Sequence, residues 1–274
     1  MDVTKEVVVA AGQSTGTNNT ITLDYGDYTI TEITDQLNGT NALADGTKTY
    51  TWLADESTTA TESAIELRAS GASFTATNVY DRDEADLTIS KKVEGDATYG
   101  LPDGAKTEKE YTFTIAGPSD ANGTYSIQNS AKTVTFTSGS AEVTITGEAD
   151  LVIENLPTGT YTVTEQSAKI DNDQHWTWSS TVKVNTDVST DGKITLTKDA
   201  AGTVEVTNTY TRNTGALTIA KTVAGHGADE AKSKTFTFII TAENAIAARD
   251  YTTSVDGVKV NFDGTTTAEA FFLK

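Results

Sequence analysis

The chain has 274 residues and a formal net charge of -19, which disfavours nucleic acid and an anionic membrane surface as partners. It contains no cysteine, so disulfides, thiol catalysis and thiolate metal sites are excluded, and its two histidines, His175 and His226, lack the spacing of a zinc motif. No apolar run approaches the ~20 residues of a membrane span. We therefore predict no cofactor, no metal site and no membrane segment, and we expect any secretion signal or anchor to lie outside this sequence.

Short runs of alternating apolar and polar residues extend along the chain, rich in Thr and Val and separated by turns of Gly, Asn and Asp. Alternation with a period of two is typical of strands that bury one face. No segment shows a helical period over three turns, and residues 102–110 and 242–249 could form one short helical turn at most. The predicted fold class is all-β, with tandem sandwiches.

Four motifs occur twice in the chain. Two belong to the middle and the C-terminal end: LTISKKVEG at Leu87 returns as LTIAKTVAG at Leu217, and YTFTI at Tyr111 returns as FTFII at Phe236. Two belong to the N-terminal end and the middle: YTITE at Tyr28 returns as YTVTE at Tyr161, and ATNVY at 76–80 returns as VTNTY at 206–210. The predicted organisation is a complete repeat at residues 86–212, its C-terminal half at 1–85 and its N-terminal half at 213–274.

Three motifs of the complete repeat place a polar residue on an apolar strand face. Because side chains alternate along a strand, Lys91 shares its face with Leu87 and Ile89. By the same alternation Glu165 follows Tyr161 and Val163, and Asn208 lies between Val206 and Tyr210 on one face. Burying any of these groups alone costs several kcal/mol, roughly, so we expect the three to meet in the interior.

An apolar interior favours a specific reaction between these groups. Desolvation disfavours the charged forms, which makes the lysine a free amine and the glutamate a protonated acid. Such an amine can attack a carboxamide polarised by the acid, giving a Lys–Asn isopeptide bond with loss of ammonia. The alternatives are a hydrogen-bonded ion pair without covalent chemistry, or strand ends whose faces reach solvent.

Together, LTISKKV, YTFTI, ENLPTGTYTVTE and VEVTNTY resemble the Cna B-type domains of Gram-positive surface adhesins and pilins. The resemblance covers the middle repeat completely and each flanking segment in part. It implies an immunoglobulin-like sandwich in which Lys91 is the amine, Asn208 the amide and Glu165 the catalytic acid. It also implies that Lys221 is the amine of the last segment, and that Glu32 and Asn78 are the acid and amide of the first.

The two terminal segments are complementary halves of one sandwich. An incomplete sandwich exposes its core face and its strand edges, so we expect the last segment of one molecule to complete the first segment of the next. Lys221 would then bond Asn78 of the neighbouring copy, assisted by Glu32, and a filament would grow head to tail. The alternatives are arbitrary boundaries, or a reduced sandwich formed by 1–85 alone; a strand duplicated at 4–13 and 267–274 favours these.

The predicted function is a structural stalk of an extracellular, cell-wall-attached adhesin or pilus-like fibre. The crosslink forms once at each site, so the chain is not predicted to be an enzyme. The alternative is an adhesive module that binds a host matrix protein or glycan, with Trp176 and Trp178 as a stacking platform.

Overall fold

The computed structural model describes residues 22–31, 43–57, 61–166, 175–231, 234–242, 249–253, 259–262 and 267–272. Within these ranges the regular secondary structure is almost wholly strand, with one helix, α1 (Ala228–Ala231). No helix in the described part is long and apolar enough to cross a membrane. The all-β prediction is confirmed.

The strands fall into three groups along the chain. The first group is β1 (Gly26–Thr31), β2 (Ala44–Asp45), β3 (Lys48–Trp52), β4 (Thr61–Leu67) and β5 (Tyr80–Arg82). The second is β6 (Glu84–Glu94), β7 (Glu110–Ala116), β8 (Gly123–Ser126), β9 (Thr133–Phe136), β10 (Ser140–Thr146), β11 (Asp150–Pro157), β12 (Gly159–Glu165), β13 (Trp176–Val184), β14 (Asp187–Ser189), β15 (Lys193–Leu196) and β16 (Gly202–Arg212). The third is β17 (Phe236–Thr241), β18 (Arg249–Thr252), β19 (Lys259–Phe262) and β20 (Thr267–Phe272).

The second group forms a two-sheet sandwich. One sheet has the strand order β11-β6-β16-β13-β14 and the other β10-β7-β12-β15. Buried and less buried residues alternate along the strands of both sheets, and the inward residues form one continuous core with Leu87, Phe113 and Tyr161 completely buried. This arrangement follows from the period-two pattern of the sequence, since each strand buries only one face.

The first and last strands of the sandwich are neighbours. β16 pairs with β6 in parallel, with Val206 opposite Lys91 and Asn208 opposite Val93. Antiparallel partners, β11 and β13, cover the other edges of these two strands. The pairing therefore brings together residues that lie more than a hundred positions apart in sequence.

The first group of strands reproduces one of the strand pairings of the sandwich, that of β12 with β15. β1 pairs with β4 in the register Gly26↔Leu67 and Tyr28↔Ile65, while β12 pairs with β15 in the register Gly159↔Leu196 and Tyr161↔Ile194. Even a local hydrogen bond recurs, because Tyr28 donates to the carbonyl of Asp24 at 2.6 Å as Tyr161 does to that of Pro157 at 2.8 Å.

The third group of strands reproduces another pairing of the sandwich, that of β7 with β10. β17 and β20 pair antiparallel with Ile240 opposite Ala268, as β7 and β10 pair with Ile115 opposite Ala141. The β18–β19 hairpin packs Tyr251 edge-on against Phe262 with ring centroids 5.6 Å apart. In the β8–β9 hairpin, Tyr125 and Phe136 pack in the same manner at 5.5 Å.

The copy of the first strand in the last segment behaves differently from β6. Residues 217–223 are not in a strand, and Leu217 is 72% exposed whereas its counterpart Leu87 is fully buried. The physical reason is strand pairing. β6 is hydrogen-bonded to β11 and β16, whereas no described strand pairs with residues 217–223. A segment of high strand propensity forms sheet only beside such partners.

Candidate crosslinking site

The three polar residues on the apolar strand faces meet inside the sandwich. Lys91 lies on β6 and Asn208 on the adjacent β16, and both are completely buried. Glu165 ends β12 in the opposing sheet, and its side chain is 6% exposed. The positions of these residues in the sequence do not by themselves bring them together. They meet because the two sheets face each other in the observed register.

One carboxylate oxygen of Glu165 lies between the amine and the amide. Oε1 is 3.8 Å from the Lys91 Nζ and accepts a hydrogen bond of 2.9 Å from the Asn208 Nδ2. The Lys91 Nζ also donates to two backbone carbonyls, that of Lys92 at 2.8 Å and that of Val206 at 3.1 Å. The Asn208 Oδ1 is buried and accepts no hydrogen bond from any residue that the structure describes, a rare condition for a buried amide.

Burial shifts the protonation of both ionisable groups toward their neutral forms. Desolvation lowers the pKa of Lys91 to about 8, although Glu165 and Glu148 act in the opposite direction. Desolvation raises the pKa of Glu165, opposed by the charge of Lys91 and by the hydrogen bond from Asn208. Both pKa shifts are in the direction of an amine beside a carboxylic acid, which is the direction that the sequence predicts.

Two tyrosines form the aromatic wall of the site. The Lys91 Nζ lies 4.6 Å from the centroid of the Tyr111 ring. The Tyr111 hydroxyl donates to the carbonyl of Ala105 at 2.9 Å and lies 3.4 Å from the hydroxyl of Tyr210. These contacts fix the ring against which the lysine packs, and burial raises the pKa of both tyrosines, so the hydroxyls stay neutral.

The role of Tyr111 was not predicted from the sequence, although a signal for it exists. The repeat pairs each first-strand lysine with the first aromatic residue of the next strand. Accordingly, the Lys221 Nζ lies 4.9 Å from the ring of Phe236, the counterpart of Tyr111. A lysine and an aromatic residue that recur together at matching repeat positions indicate contact.

Two charged residues lie just outside the buried groups. Glu148 accepts a hydrogen bond from the backbone N–H of Val93 at 3.3 Å and pairs with Lys106 at 3.3 Å. Lys109 lies 5.4 Å from the Tyr111 ring and lowers the pKa of Lys91 by repulsion. Their opposite effects on Lys91 arise from sequence positions that carry no recognisable motif.

The second predicted set of site residues is described only in part. Lys221 is exposed, Asn78 is half-buried in the first segment, and Glu32 lies outside the described residues. Lys221 contacts the aromatic ring that its repeat position requires. The bond between Lys221 and Asn78 stays a prediction.

Trp176 and Trp178 lie at one end of β13. Trp176 is half-buried against the core and stacks with the guanidinium of Arg212 at 5.2 Å, while Trp178 is 42% exposed. Since Trp176 packs internally, the two rings do not form a free platform. The adhesive role stays a prediction.

Comparison with known proteins gives one family match. Residues 85–210 match the family described as "Domain of unknown function (DUF7601)". The matched span includes Lys91, Glu165 and Asn208. Among curated proteins, no sequence matches the chain.

Several solved structures are similar to the chain in part. Two major pilins of Streptococcus pyogenes align at 17% and 16% identity with TM-scores of 0.37 and 0.38; these alignments cover 71% and 69% of this chain and 70% and 71% of the pilins. A pilus-presented adhesin of the same species, Cpa, aligns at 20% identity with a TM-score of 0.32 over 46% of this chain and 27% of the adhesin. The chain therefore spans about a quarter of that adhesin's length.

Proposed function

We propose that this chain is a structural module of a Gram-positive surface fibre, locked by an amide bond that Lys91 and Asn208 form without a separate enzyme. The observation that carries the proposal is the burial of an amine, a carboxyl and an amide around one oxygen atom, Glu165 Oε1. An ion pair serving stability alone does not need the amide, and a buried pair is weak support for stability. The resemblance to Cna B-type domains supports the same chemistry.

The reaction is balanced by the groups present. The neutral Lys91 amine attacks Cγ of Asn208, and a tetrahedral intermediate forms as the protonated Glu165 hydrogen-bonds to the amide. Glu165 Oε1 then carries a proton from the attacking nitrogen to Nδ2, which leaves as ammonia when the Cγ–Nδ2 bond breaks. The N–C bond that remains is the crosslink. No oxidant or cofactor enters, and confinement of the reactants supplies the rate.

Intact-mass spectrometry of the full chain tests the crosslink. We expect the wild-type mass to lie one ammonia below the mass of the sequence. Lys91→Ala and Asn208→Ala should each restore the full sequence mass, corrected for the substitution. The control Lys92→Ala removes the neighbouring lysine, whose side chain lies on the other face of β6, and should keep the ammonia loss. A folded wild-type chain at full mass would overturn the proposal.

We further propose that the fibre grows by pairing of the terminal segments of neighbouring copies. The segments show complementary pairing units, β1 with β4 in one and β17 with β20 in the other. Each also exposes an apolar side chain that such pairing would cover: Ile30 in the first segment is 39% exposed and Leu217 in the last is 72% exposed, whereas their repeat counterparts Val163 and Leu87 are buried. Exposed apolar surface of this kind marks an interaction site.

In the paired state Lys221 of one copy reaches Asn78 of the next, with Glu32 as the acid. A denaturing gel of the concentrated protein then shows a ladder of covalent multimers, because heterologous contacts propagate. Lys221→Ala should abolish the ladder, while Lys234→Ala, an exposed lysine of the same segment, should leave it intact. Monomer bands alone from a chain that associates in native buffer would contradict the Lys221–Asn78 bond.

An extracellular location follows from this function. A cysteine-free shaft outside the cell needs another covalent staple, and an internal amide serves as one. Each site reacts once, so the chemistry is a maturation step and not enzymatic turnover.

A further inference from the structure

The first segment and the sandwich meet in a buried polar joint. The backbone of Asp83 connects them, with its N–H donating to the carbonyl of Thr49 at 3.0 Å and its own carbonyl accepting from the N–H of Thr158 at 2.7 Å. Thr158 is fully buried and its hydroxyl accepts from the backbone N–H of Thr49 at 3.0 Å. The turn at residues 157–159 thus docks onto the end of the β3–β5 pair.

Charged side chains surround this docked turn. Arg82 bonds to the carbonyl of Thr158 and to Asp120, the latter at 3.0 Å. Lys48 reaches the same Asp120 oxygen at 2.8 Å, and Lys198 pairs with Asp83 at 3.4 Å. Every one of these contacts joins the first segment or the Arg82–Asp83 linker to the sandwich that follows it.

The surface that receives the turn recurs at the far end of the sandwich. There Trp176 pairs with Arg212 as Tyr50 pairs with Arg82, and each guanidinium stacks on its partner ring at 5.2 Å. The backbone N–H of Asn213 donates to the carbonyl of His175 at 2.6 Å, which reproduces the bond from Asp83 to Thr49. His175 and Asn213 are therefore the structural counterparts of Thr49 and Asp83.

The two copies of the surface differ in what covers them. Asp83 is 9% exposed and Thr49 and Thr51 are half-buried, because the turn and Lys198 lie over them. Their counterparts Asn213, His175 and Thr177 are all exposed. The far end of the sandwich therefore presents the receiving half of the joint at an exposed surface.

The chain also carries a second, uncovered copy of the docking turn. The segment LDYGDYTITE at residues 23–32 aligns with LPTGTYTVTE at 156–165, so Tyr25 corresponds to Thr158 and Leu23 to Leu156. The aligned tyrosines make the same hydrogen bond to the fourth residue before them, which confirms the alignment in space. Leu23 and Tyr25 are 37% and 68% exposed, whereas Leu156 and Thr158 are fully buried.

We propose that the surface formed by His175, Thr177, Arg212 and Asn213 is a docking site for a second copy of this chain, and that its occupant is the turn at residues 23–27. The proposal rests on the head-to-tail association proposed above and adds to it a non-covalent joint between the sandwich of one copy and the module completed by the next. The receiving surface and the turn are separate patches of one chain, so the contact is heterologous and propagates with the fibre.

Charge supports this occupant. In the observed joint Arg82 lies over the docked turn, next to Gly159. At the far end Arg212 occupies the same position, while the turn at 23–27 carries two exposed carboxylates, Asp24 and Asp27, where the inner turn has Pro157 and Thr160. An anionic turn facing a guanidinium steers the two surfaces together in the correct orientation.

Engineered cysteines test the docking directly, because the natural chain has none. We expect a His175→Cys chain mixed with a Tyr25→Cys chain to form a disulfide-linked heterodimer on mild oxidation. Both carry Lys221→Ala, so no amide links the copies. The control is a mixture of Ser179→Cys and Tyr25→Cys chains, since Ser179 is an exposed position farther along β13. The yield of heterodimer from the His175→Cys mixture, identified by intact mass, should be at least about tenfold higher than the yield from this control.

Two further arms make every outcome decisive. The pair Thr49→Cys and Thr158→Cys within one chain, whose native hydroxyls are 3.2 Å apart, should close readily and validates the geometry of the joint. A heterodimer yield no higher than the Ser179→Cys control overturns the docking site. If the chain with native Lys221 nevertheless forms the covalent ladder in the denaturing gel, the fibre proposal stands without the joint. A heterodimer without any ladder has the converse meaning: the joint stands and the Lys221–Asn78 bond is wrong.

Discussion

Lys91 and Glu165 show at the scale of single residues why an unreacted site is costly. Both lose hydration, and their attraction across 3.8 Å only partly offsets that loss. Amide formation would replace the titratable amine of Lys91 with a neutral amide nitrogen, which needs no paired charge. The reaction would therefore remove the desolvation cost that promotes it.

The unreacted site should make stability depend on pH in a defined direction. Asn208→Ser removes the electrophile and leaves Lys91 unreacted. Because the pKa of Lys91 is lowered from 10.5 to about 8 on folding, the unfolded chain binds more protons between these values. The free energy of unfolding should then rise with pH across that window, by up to ~3 kcal/mol. Below the window the destabilisation caused by the buried amine should be fully present.

Urea unfolding at neutral pH and at about pH 10 measures this effect. The control is Lys91→Met combined with Asn208→Ser, which lacks the titrating amine and should not show the rise. Glu165 acts in another range: its raised pKa means that stability is lost as pH rises from 4.5 through its folded pKa. Identical pH profiles for the two variants would contradict the buried amine.

Turns decide the register at the scale of secondary structure. Gly192, between β14 and β15, has a φ of 64°, and a Cβ there would lie 2.3 Å from the carbonyl oxygen of Val163. Its own carbonyl accepts from the N–H of Val163 at 3.1 Å. This close approach fixes the edge of the sheet that carries Glu165.

Gly192→Ala should therefore destabilise the sandwich by more than the cost of the left-handed backbone alone. Gly100→Ala is the matched control, with a φ of 75° and no atom within 4 Å of the added Cβ. We expect about 1 kcal/mol for Gly100→Ala and an additional 1–3 kcal/mol, roughly, for Gly192→Ala. Thermal unfolding of both variants provides the comparison, and equal losses of stability would contradict the expectation.

The same element scale explains why one lysine-bearing motif is a strand and its copy is not. LTISKKV lies between two partner strands as β6, whereas residues 217–223 have the same alternation but pair with no described strand. Local pattern predicts which face of a strand is apolar. Partner strands decide whether the strand forms.

At the scale of the whole molecule the proposed crosslink would close almost the entire sandwich. It would join β6, the first strand, to β16, the last, which pair in parallel, so that the intervening chain could not separate from either end. In loop-closure models, a link across a ~100-residue loop limits the unfolded ensemble by about 4–5 kcal/mol.

Lys91→Met should therefore lower the unfolding free energy of the sandwich by about that amount, less any relief from removing a buried charge. Denaturant unfolding followed by limited proteolysis measures the loss and its structural location. Lys92→Met is the control, because it changes the same strand without removing the link. A Lys91→Met chain as stable and as protease-resistant as the control would show that no covalent closure exists.

The sequence by itself determined the strand pattern, the repeats and the three polar residues on apolar faces, because these depend on alternation and similarity within one chain. Tertiary structure decided that a single oxygen of Glu165 bridges amine and amide, that Tyr111 supports the lysine, and that the same polar surface lies at both ends of the sandwich. Those facts depend on sheet-to-sheet packing and on cross-strand register. Neither leaves a local signal, since the contacting residues are separated by up to the length of the domain.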